Sequence, residues 1–182
     1  PREKKYTAPK NQKKIQQPKG TGTGFFVSAE GHILTNNHVV ANFDEIVVLL
    51  YDGRDVPAKI VGTDPDTDLA ILKIDVDQLQ PISIGDAMDA KIGDVVLAIG
   101  NPYGLGQAVT QGIISATGRN GLGLNTFENF IQTDADINPG NSGGALVDVY
   151  GNLLGINTAK LDRNGAAGMS FAIPVNEAQK VL

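Results

Sequence analysis

Residues 138–146, NPGNSGGAL, place a single serine hydroxyl among glycines. Gly140, Ser142 and Gly144 fit the pattern Gly-x-Ser-x-Gly, which surrounds the nucleophilic serine in several classes of hydrolase. A glycine-rich hairpin matches the same pattern, so the motif is not sufficient by itself. Each glycine costs roughly 1 kcal/mol of conformational entropy. The cluster therefore indicates either a plain turn or a backbone that must curl tightly around something, and the other candidate residues distinguish the two.

A serine nucleophile of this kind requires a histidine within hydrogen-bonding reach, and the chain has only His32 and His38. Both precede Ser142, which excludes the α/β-hydrolase order, in which the histidine comes last. The first aspartate is Asp44, so the aspartate-first order of subtilisin is excluded as well. The order that remains is histidine, aspartate, serine, which is found on paired β-barrels.

His38 is the stronger candidate for the general base. It follows the polar residues 35–37 and precedes the apolar residues 39–41, which can anchor it to a core. His32 stands where a turn enters a strand, and a half-exposed turn position explains it. We therefore assign His38 to the catalytic role.

Thirteen aspartates lie between His38 and Ser142. Asp68 is the one at the junction where the polar run TDPDT meets the apolar run LAILKI, so its carboxylate is expected at the mouth of a buried strand. A carboxylate shielded in this way can orient an imidazole. Asp44, Asp52 and Asp55 lie near predicted turns and are expected to be solvated.

The elements that position these residues are predicted to be short β-strands. Apolar runs of four to seven residues recur along the chain, separated by turn signals such as Asp52-Gly53. We predict an all-β protein with two antiparallel, six-stranded-type β-barrels at 20–78 and 92–175, joined by a linker at 79–91. A short C-terminal helix is predicted within 176–182, after Pro174.

The charge of the chain is unevenly distributed. Residues 1–20 hold seven Lys or Arg and one Glu, whereas the 182-residue chain carries a net charge of −5. We interpret residues 1–20 as a basic, mobile loop or tail. An alternative function for the protein is binding to an anionic surface through this segment. The acidic body argues against nucleic acid as the main partner. No stretch approaches the roughly 20 apolar residues that cross a membrane.

Cofactor chemistry finds little support in the sequence. With no cysteine, the chain can form neither a disulfide nor a thiolate zinc site. The glycine-rich segments 20–24 and 104–106 lack a complete nucleotide-binding pattern, and 64–69 lacks the glycine of a calcium loop. We expect no cofactor and no metal.

Five segments of the chain resemble the HtrA/Deg family of serine proteases. They are TNNHVV, DPDTDLAILKI, GDVVLAIGNPYGLGQAVTQGIISATGR, FIQTDADINPGNSGGAL, and GINTA followed by GMSFAIP. The resemblance covers about residues 20–182. It implies a chymotrypsin-like double barrel with His38, Asp68 and Ser142 as the catalytic triad of a serine endopeptidase.

The resemblance also implies a biological setting. Such proteins act in bacterial envelope quality control or stress signalling, on unfolded or regulatory proteins, as periplasmic homotrimers. Family members carry a PDZ domain after the region that this chain covers, and whether the full-length protein has that domain or an inner-membrane anchor is left open. A non-catalytic, peptide-binding chaperone on the same barrels is the competing hypothesis.

Catalysis by Ser142 requires amide hydrogens that converge on the carbonyl oxygen of the substrate as it becomes negative. Gly140 and Ser142 are predicted to supply them, with Asn141 between. The resemblance implies that this oxyanion hole forms when the loops at 100–106, 117–128 and 158–168 rearrange. The residues at the family's switching positions are Tyr103, Arg119 and Gln132.

Specificity has two candidate determinants. Asp136 lies six residues before Ser142, where trypsin-like pockets carry the aspartate that selects a basic P1 residue. The resemblance instead implies a wall formed by Ile137 and Leu161, which selects small aliphatic P1 residues, and we favour this pocket. Asn157 and Thr158 are predicted to complete the pocket.

Overall fold

The protein is described by a computed structural model that covers residues 20–101, 106–160 and 169–180. Strands dominate these residues. The strands are β1 (Phe25–Phe26), β2 (His32–Asn36), β3 (Ile46–Leu49), β4 (Asp55–Asp64), β5 (Leu69–Lys73), β6 (Ser83–Ile84), β7 (Val95–Gly100), β8 (Ala108–Arg119), β9 (Phe130–Thr133), β10 (Ala145–Asp148), β11 (Asn152–Lys160) and β12 (Ser170–Pro174). The two short helices are α1 (Asn37–Val40) and α2 (Val175–Ala178).

The first sheet has five strands in the order β1-β2-β5-β4-β3 and forms a half-barrel. Its central pair, β2 and β5, is antiparallel, and Asn36 at the end of β2 lies opposite Leu69 at the start of β5. The chain leaves β2 and enters β5 at the same end of this strand pair, and this end is here called the edge of the sheet. Residues just after Asn36 and just before Leu69 are therefore brought together.

The second sheet closes into a barrel. Its order is β10-β7-β8-β9-β12-β11-β6, and an additional pairing of β10 with β11 closes six of these strands into a ring. The predicted all-β architecture of two barrels is confirmed, with the first as a half-barrel. The segment predicted as a linker contains β6, which pairs in parallel with β11.

An apolar cluster joins the two sheets. Leu34 and Leu69 from the first sheet are buried in one cluster with Phe130, Ile156 and Phe171 from the second. The rings of Phe130 and Phe171 meet edge to face, with 6.0 Å between centroids. Burial of a large apolar side chain stabilises a fold by about 1.5–3 kcal/mol. The cluster therefore fixes the edge of β2 and β5 relative to the second barrel.

The ends of the chain are described in part. Helix α2, Val175–Ala178, lies where the sequence predicted a helix at 176–182. The basic segment at 1–20 lies outside the described residues, apart from Gly20. In the described part of the chain, neither helix has the length and apolar character needed to span a membrane.

Candidate active site

His38 and Asp68 meet at the edge where β2 ends and β5 begins. His38 Nδ1 lies 2.7 Å from Asp68 Oδ2, and the His38 backbone N–H donates to Asp68 Oδ1 over 2.8 Å. A carboxylate accepts hydrogen bonds, so Nδ1 is the donor, and in a neutral imidazole Nε2 is then the acceptor. Half of the His38 side chain is exposed, against 11% for Asp68. The imidazole is thus oriented by a shielded carboxylate while its other nitrogen is accessible.

Several groups hold Asp68 in place. Its backbone φ is +61°, a left-handed conformation that is uncommon outside glycine. Its carbonyl accepts hydrogen bonds from the Asn36 side chain and from the Asn37 backbone N–H, both over 3.0 Å. The Thr158 hydroxyl donates to Asp68 Oδ2 over 3.0 Å. The carboxylate position is therefore set by both sheets.

Ser142 lies on the other side of Thr158. The Ser142 hydroxyl donates to the Thr158 carbonyl over 3.0 Å, and this is the hydrogen bond that it makes to described residues. A hydroxyl carries one hydrogen, so Ser142 must give up the bond to the Thr158 carbonyl before it can donate to His38 Nε2.

Close backbone approach explains the glycine at 143. Gly143 has φ +83°, and a Cβ there would overlap the Thr23 carbonyl oxygen and the Thr35 hydroxyl. Its N–H donates to the Asn157 carbonyl over 2.8 Å. The loop at 138–144, here called the serine loop, therefore lies directly against Thr23 and β2, and a residue with a side chain does not fit at position 143.

The predicted oxyanion-hole residues lie in one tight turn. The Asn141 N–H donates to the Asn138 carbonyl, and the Asn141 carbonyl accepts the Gly144 N–H, both over 2.9 Å. In a trans peptide the N–H and C=O point in opposite directions. The Ser142 N–H therefore points away from Gly144. The backbone N–H of Asn141 already donates within the loop. The backbone N–H groups of Gly140 and Ser142 are therefore the remaining donors of the predicted set.

The predicted pocket residues occupy different environments. Ile137 is buried in the core of the second barrel, with 2% of its surface exposed. Asn157 is also buried, and its side-chain amide donates to the Ile99 and Ala145 carbonyls. The Asp136 carboxylate accepts a hydrogen bond from Asn138. Thr158 contacts Asp68 and Ser142, and Leu161 lies outside the described residues.

Two of the predicted switching residues touch each other. Arg119 Nε donates to Gln132 Oε1 over 2.9 Å, between the adjacent strands β8 and β9. Tyr103 lies outside the described residues. The regulatory role of these residues stays a prediction.

One carboxylate organises the loop between β8 and β9. Glu128 accepts the backbone N–H groups of Leu122 and Leu124, both over 2.6 Å, and that of Asn125 over 3.2 Å. Burial raises the pKa of Glu128, but the backbone N–H groups lower it more in total, so the pKa lies below its ordinary value. The sequence reasoning did not identify this residue.

This loop contacts the turn that precedes Asp68. The Asn125 side chain donates to the Thr67 carbonyl over 3.2 Å, and the Phe127 N–H donates to the Asp66 carbonyl over 3.1 Å. Glu128 therefore supports the position of Asp68 through the loop. Among the described residues, no cluster of His, Asp and Glu has the geometry of a metal site.

The sequence reasoning also missed Thr23, Thr35 and Asn36. The Thr23 hydroxyl donates to the Gly140 carbonyl, and the Thr35 hydroxyl donates to the Thr23 carbonyl, both over 2.6 Å. A polar pair at the end of the apolar strand HILTN was the signal that could have revealed Thr35 and Asn36. Thr23, between glycines in GTGTG, offered no comparable signal.

Comparisons with known proteins agree with this geometry. A family model described as "trypsin-like peptidase domain" matches residues 22–156. The serine endoprotease DegS of Haemophilus influenzae is 52% identical over 170 residues, which are 91% of this chain and 50% of the relative. A probable periplasmic serine endoprotease, DegP-like, of Chlamydia pneumoniae is 51% identical over 162 residues, which are 88% of this chain and 33% of the relative.

Solved structures show the same similarity. The HtrA-type protease AlgW with a decapeptide is 60% identical, with a TM-score of 0.85 over 88% of this chain and 50% of that structure. The chain thus spans a third to a half of the length of these relatives. The chymotrypsin-like fold expected from the sequence is confirmed.

Proposed function

The chain belongs to the family of trypsin-like peptidase domains, and we propose that it is a serine endoprotease that cleaves peptide bonds through His38, Asp68 and Ser142. The resemblance to HtrA/Deg proteases is confirmed at the level of the family. One observation carries the proposal: the Nδ1 of His38 lies 2.7 Å from the carboxylate of Asp68. This contact leaves Nε2 available as a general base beside the serine loop.

The mechanism begins with rotation of the Ser142 hydroxyl from the Thr158 carbonyl to His38 Nε2. The serine oxygen attacks the substrate carbonyl carbon as Nε2 takes its proton, and Asp68 stabilises the imidazolium. The tetrahedral intermediate collapses when His38 returns the proton to the leaving amine. Water then hydrolyses the acyl-enzyme by the same route.

The oxyanion is stabilised, in this proposal, by the N–H groups of Gly140 and Ser142. Loss of one such donor typically costs about 3–4 kcal/mol of transition-state stabilisation. The positive φ of Gly140, +97°, supports a backbone there that can turn its N–H to the substrate. Rearrangement of the loops at 100–106, 117–128 and 158–168 is the proposed control over this step.

The substrates proposed are unfolded or regulatory proteins of the bacterial envelope. Support comes from the relatives, of which several are named periplasmic serine endoproteases. On the same resemblance we propose a homotrimeric assembly, and we leave open an inner-membrane anchor in the full-length protein. Sedimentation of the purified chain tests the assembly, since a monomer at all concentrations contradicts it.

Covalent labelling tests the activity. A fluorophosphonate is expected to label Ser142 of the wild-type chain, and Ser142→Ala is expected to abolish both labelling and the cleavage of unfolded casein. The measurement is repeated with candidate activating peptides, because a resting serine loop reacts slowly. A folded wild type that never labels, or a Ser142→Ala variant that still cleaves, contradicts the proposed function. Retained holdase activity without cleavage identifies the chaperone instead.

A further inference from the structure

We propose that Thr23 is a positioning residue for catalysis, whose side-chain hydroxyl fixes the orientation of the peptide group between Gly140 and Asn141. The inference rests on the proposed function. It assigns to the segment that precedes β1 a direct part in shaping the serine loop, which belongs to the second barrel.

All the polar groups of Thr23 make hydrogen bonds. Its hydroxyl donates to the Gly140 carbonyl over 2.6 Å and accepts the Asn101 N–H over 2.9 Å. Its N–H donates to the Ser142 carbonyl over 2.9 Å, and its carbonyl accepts the Thr35 hydroxyl over 2.6 Å. Thr23 thus links the end of β7, the serine loop and the end of β2.

The hydroxyl holds one end of a peptide group that is also held at the other end. The Gly140 carbonyl points to Thr23, and the opposite N–H, that of Asn141, donates to the Asn138 carbonyl over 2.9 Å. Glycine imposes little restriction on backbone rotation at position 140. Without the hydroxyl, the Gly140 carbonyl loses its partner and the peptide group gains freedom to turn.

The orientation of this peptide group matters because it lies between the two proposed oxyanion donors, the N–H groups of Gly140 and Ser142. A carbonyl oxygen that turns toward the reacting centre repels the negative charge of the intermediate. A small rotation also displaces the Gly140 N–H, and oxyanion donors must lie about 2.7–3.1 Å from the developing charge. The hydroxyl therefore acts on the transition state more than on substrate binding.

The backbone of Thr23 has a separate role. Its N–H donates to the Ser142 carbonyl. The N–H of the same Ser142–Gly143 peptide group donates to the Asn157 carbonyl over 2.8 Å. These contacts do not depend on the side chain at position 23. A substitution that removes only the hydroxyl therefore removes its hydrogen bonds to the Gly140 carbonyl and the Asn101 N–H. The backbone hydrogen bonds of Thr23 stay in place.

The test compares Thr23→Val, which keeps the shape and removes the hydroxyl, with Thr23→Ser, which keeps the hydroxyl. For Thr23→Val we expect kcat to fall by about tenfold to a hundredfold, less than the 10²–10³-fold loss that follows deletion of an oxyanion donor. KM is expected to change little, and Thr23→Ser to stay close to wild type. The affinity for a peptide boronate, a transition-state analogue, is expected to fall by the same factor as kcat/KM.

Controls separate this inference from a general loss of structure. Ser28→Ala removes a hydroxyl that is hydrogen-bonded to His32 at the opposite end of β2, and it is expected to leave kcat unchanged. Thermal unfolding reports whether each variant folds. If Thr23→Val does not fold, Thr23→Ala removes the same hydroxyl and carries the comparison.

The inference is overturned, while the proposed function stands, if the wild type is active and Thr23→Val has the same kcat. Equal losses in Thr23→Val and Thr23→Ser overturn it too. A rise in KM without a fall in kcat also contradicts it. A wild type that neither labels nor cleaves contradicts the proposed function itself, and the inference with it.

Discussion

The hydroxyl of Ser142 donates a hydrogen bond to the backbone carbonyl of Thr158, over 3.0 Å. The side chain of the same threonine donates to Asp68, also over 3.0 Å. One residue on β11 therefore touches both the proposed nucleophile and the carboxylate that orients the proposed base.

Removal of the Thr158 hydroxyl is expected to lower kcat/KM. Thr158→Val deprives the shielded Asp68 carboxylate of one of its hydrogen bonds, and bonds to charged groups are worth about 1.5–3 kcal/mol. The expected loss is about tenfold to a hundredfold at neutral pH. Thr158→Ser, which keeps the hydroxyl, serves as the control. Equal activity of the two variants shows that this bond does not matter for turnover.

A side chain at position 143 is expected to damage the site. Gly143→Ala combines a left-handed backbone, which costs about 1–2 kcal/mol for other residues, with overlap of the Thr23 carbonyl oxygen and the Thr35 hydroxyl. The matched control is Gly151→Ala, because Gly151 has φ +84° and no neighbouring atom within 4 Å of the added Cβ.

Urea unfolding and casein cleavage measure the two glycine variants. Gly151→Ala is expected to lose only the stability that a left-handed backbone costs alanine, and to keep its activity. Gly143→Ala is expected to lose more stability and nearly all turnover. Equal effects in both variants contradict the close approach of the serine loop to the first sheet.

Glu128 is expected to make stability depend on pH. Burial raises its pKa, but the N–H groups of residues 122–125 bring it below the ordinary value of 4.5. Its ionised form is favoured in the folded state, so the stabilisation is fully present above pH 4.5 and is lost as the pH falls through the lowered value.

Unfolding of wild type and Glu128→Gln between pH 7 and pH 3 measures this contribution. The variant is expected to be less stable at neutral pH, and the difference is expected to shrink in acid. A difference that does not change with pH assigns the loss to packing instead. Because the loop contacts Asp66 and Thr67, Glu128→Gln is also expected to lower kcat at neutral pH.

The P1 preference is expected to favour small aliphatic residues. Peptides that differ only at P1 are predicted to be cleaved faster with Val or Ala than with Lys or Arg. Asp136→Asn distinguishes the alternatives, since this variant should change little if the pocket is aliphatic. Preferential cleavage after Lys or Arg that disappears in Asp136→Asn assigns the specificity to that carboxylate.

Much of the architecture could be predicted because it is encoded locally. Apolar runs between turn residues indicate short strands wherever they occur. The connecting segment at 79–91 divides these strands into two groups, which predicts two barrels. Both histidines precede Ser142, and the first aspartate follows them. The histidine, aspartate, serine order is therefore the one that remained among the serine hydrolases considered. His38 and Asp68 could be paired because both stand at strand ends, where polar residues meet apolar ones.

Tertiary structure alone decided which groups hold these residues. Thr23 and Gly140 are 117 positions apart, and no local pattern indicates that a hydroxyl between two glycines meets that carbonyl. The same is true of Glu128, whose carboxylate is one of many in the sequence until the loop folds around it. Periodicity indicates which face of a strand is buried, because successive side chains along a strand point to opposite faces of the sheet. Hydrogen bonds across the two barrels depend on strand pairing and on the way that the sheets pack, which involve the whole chain at once.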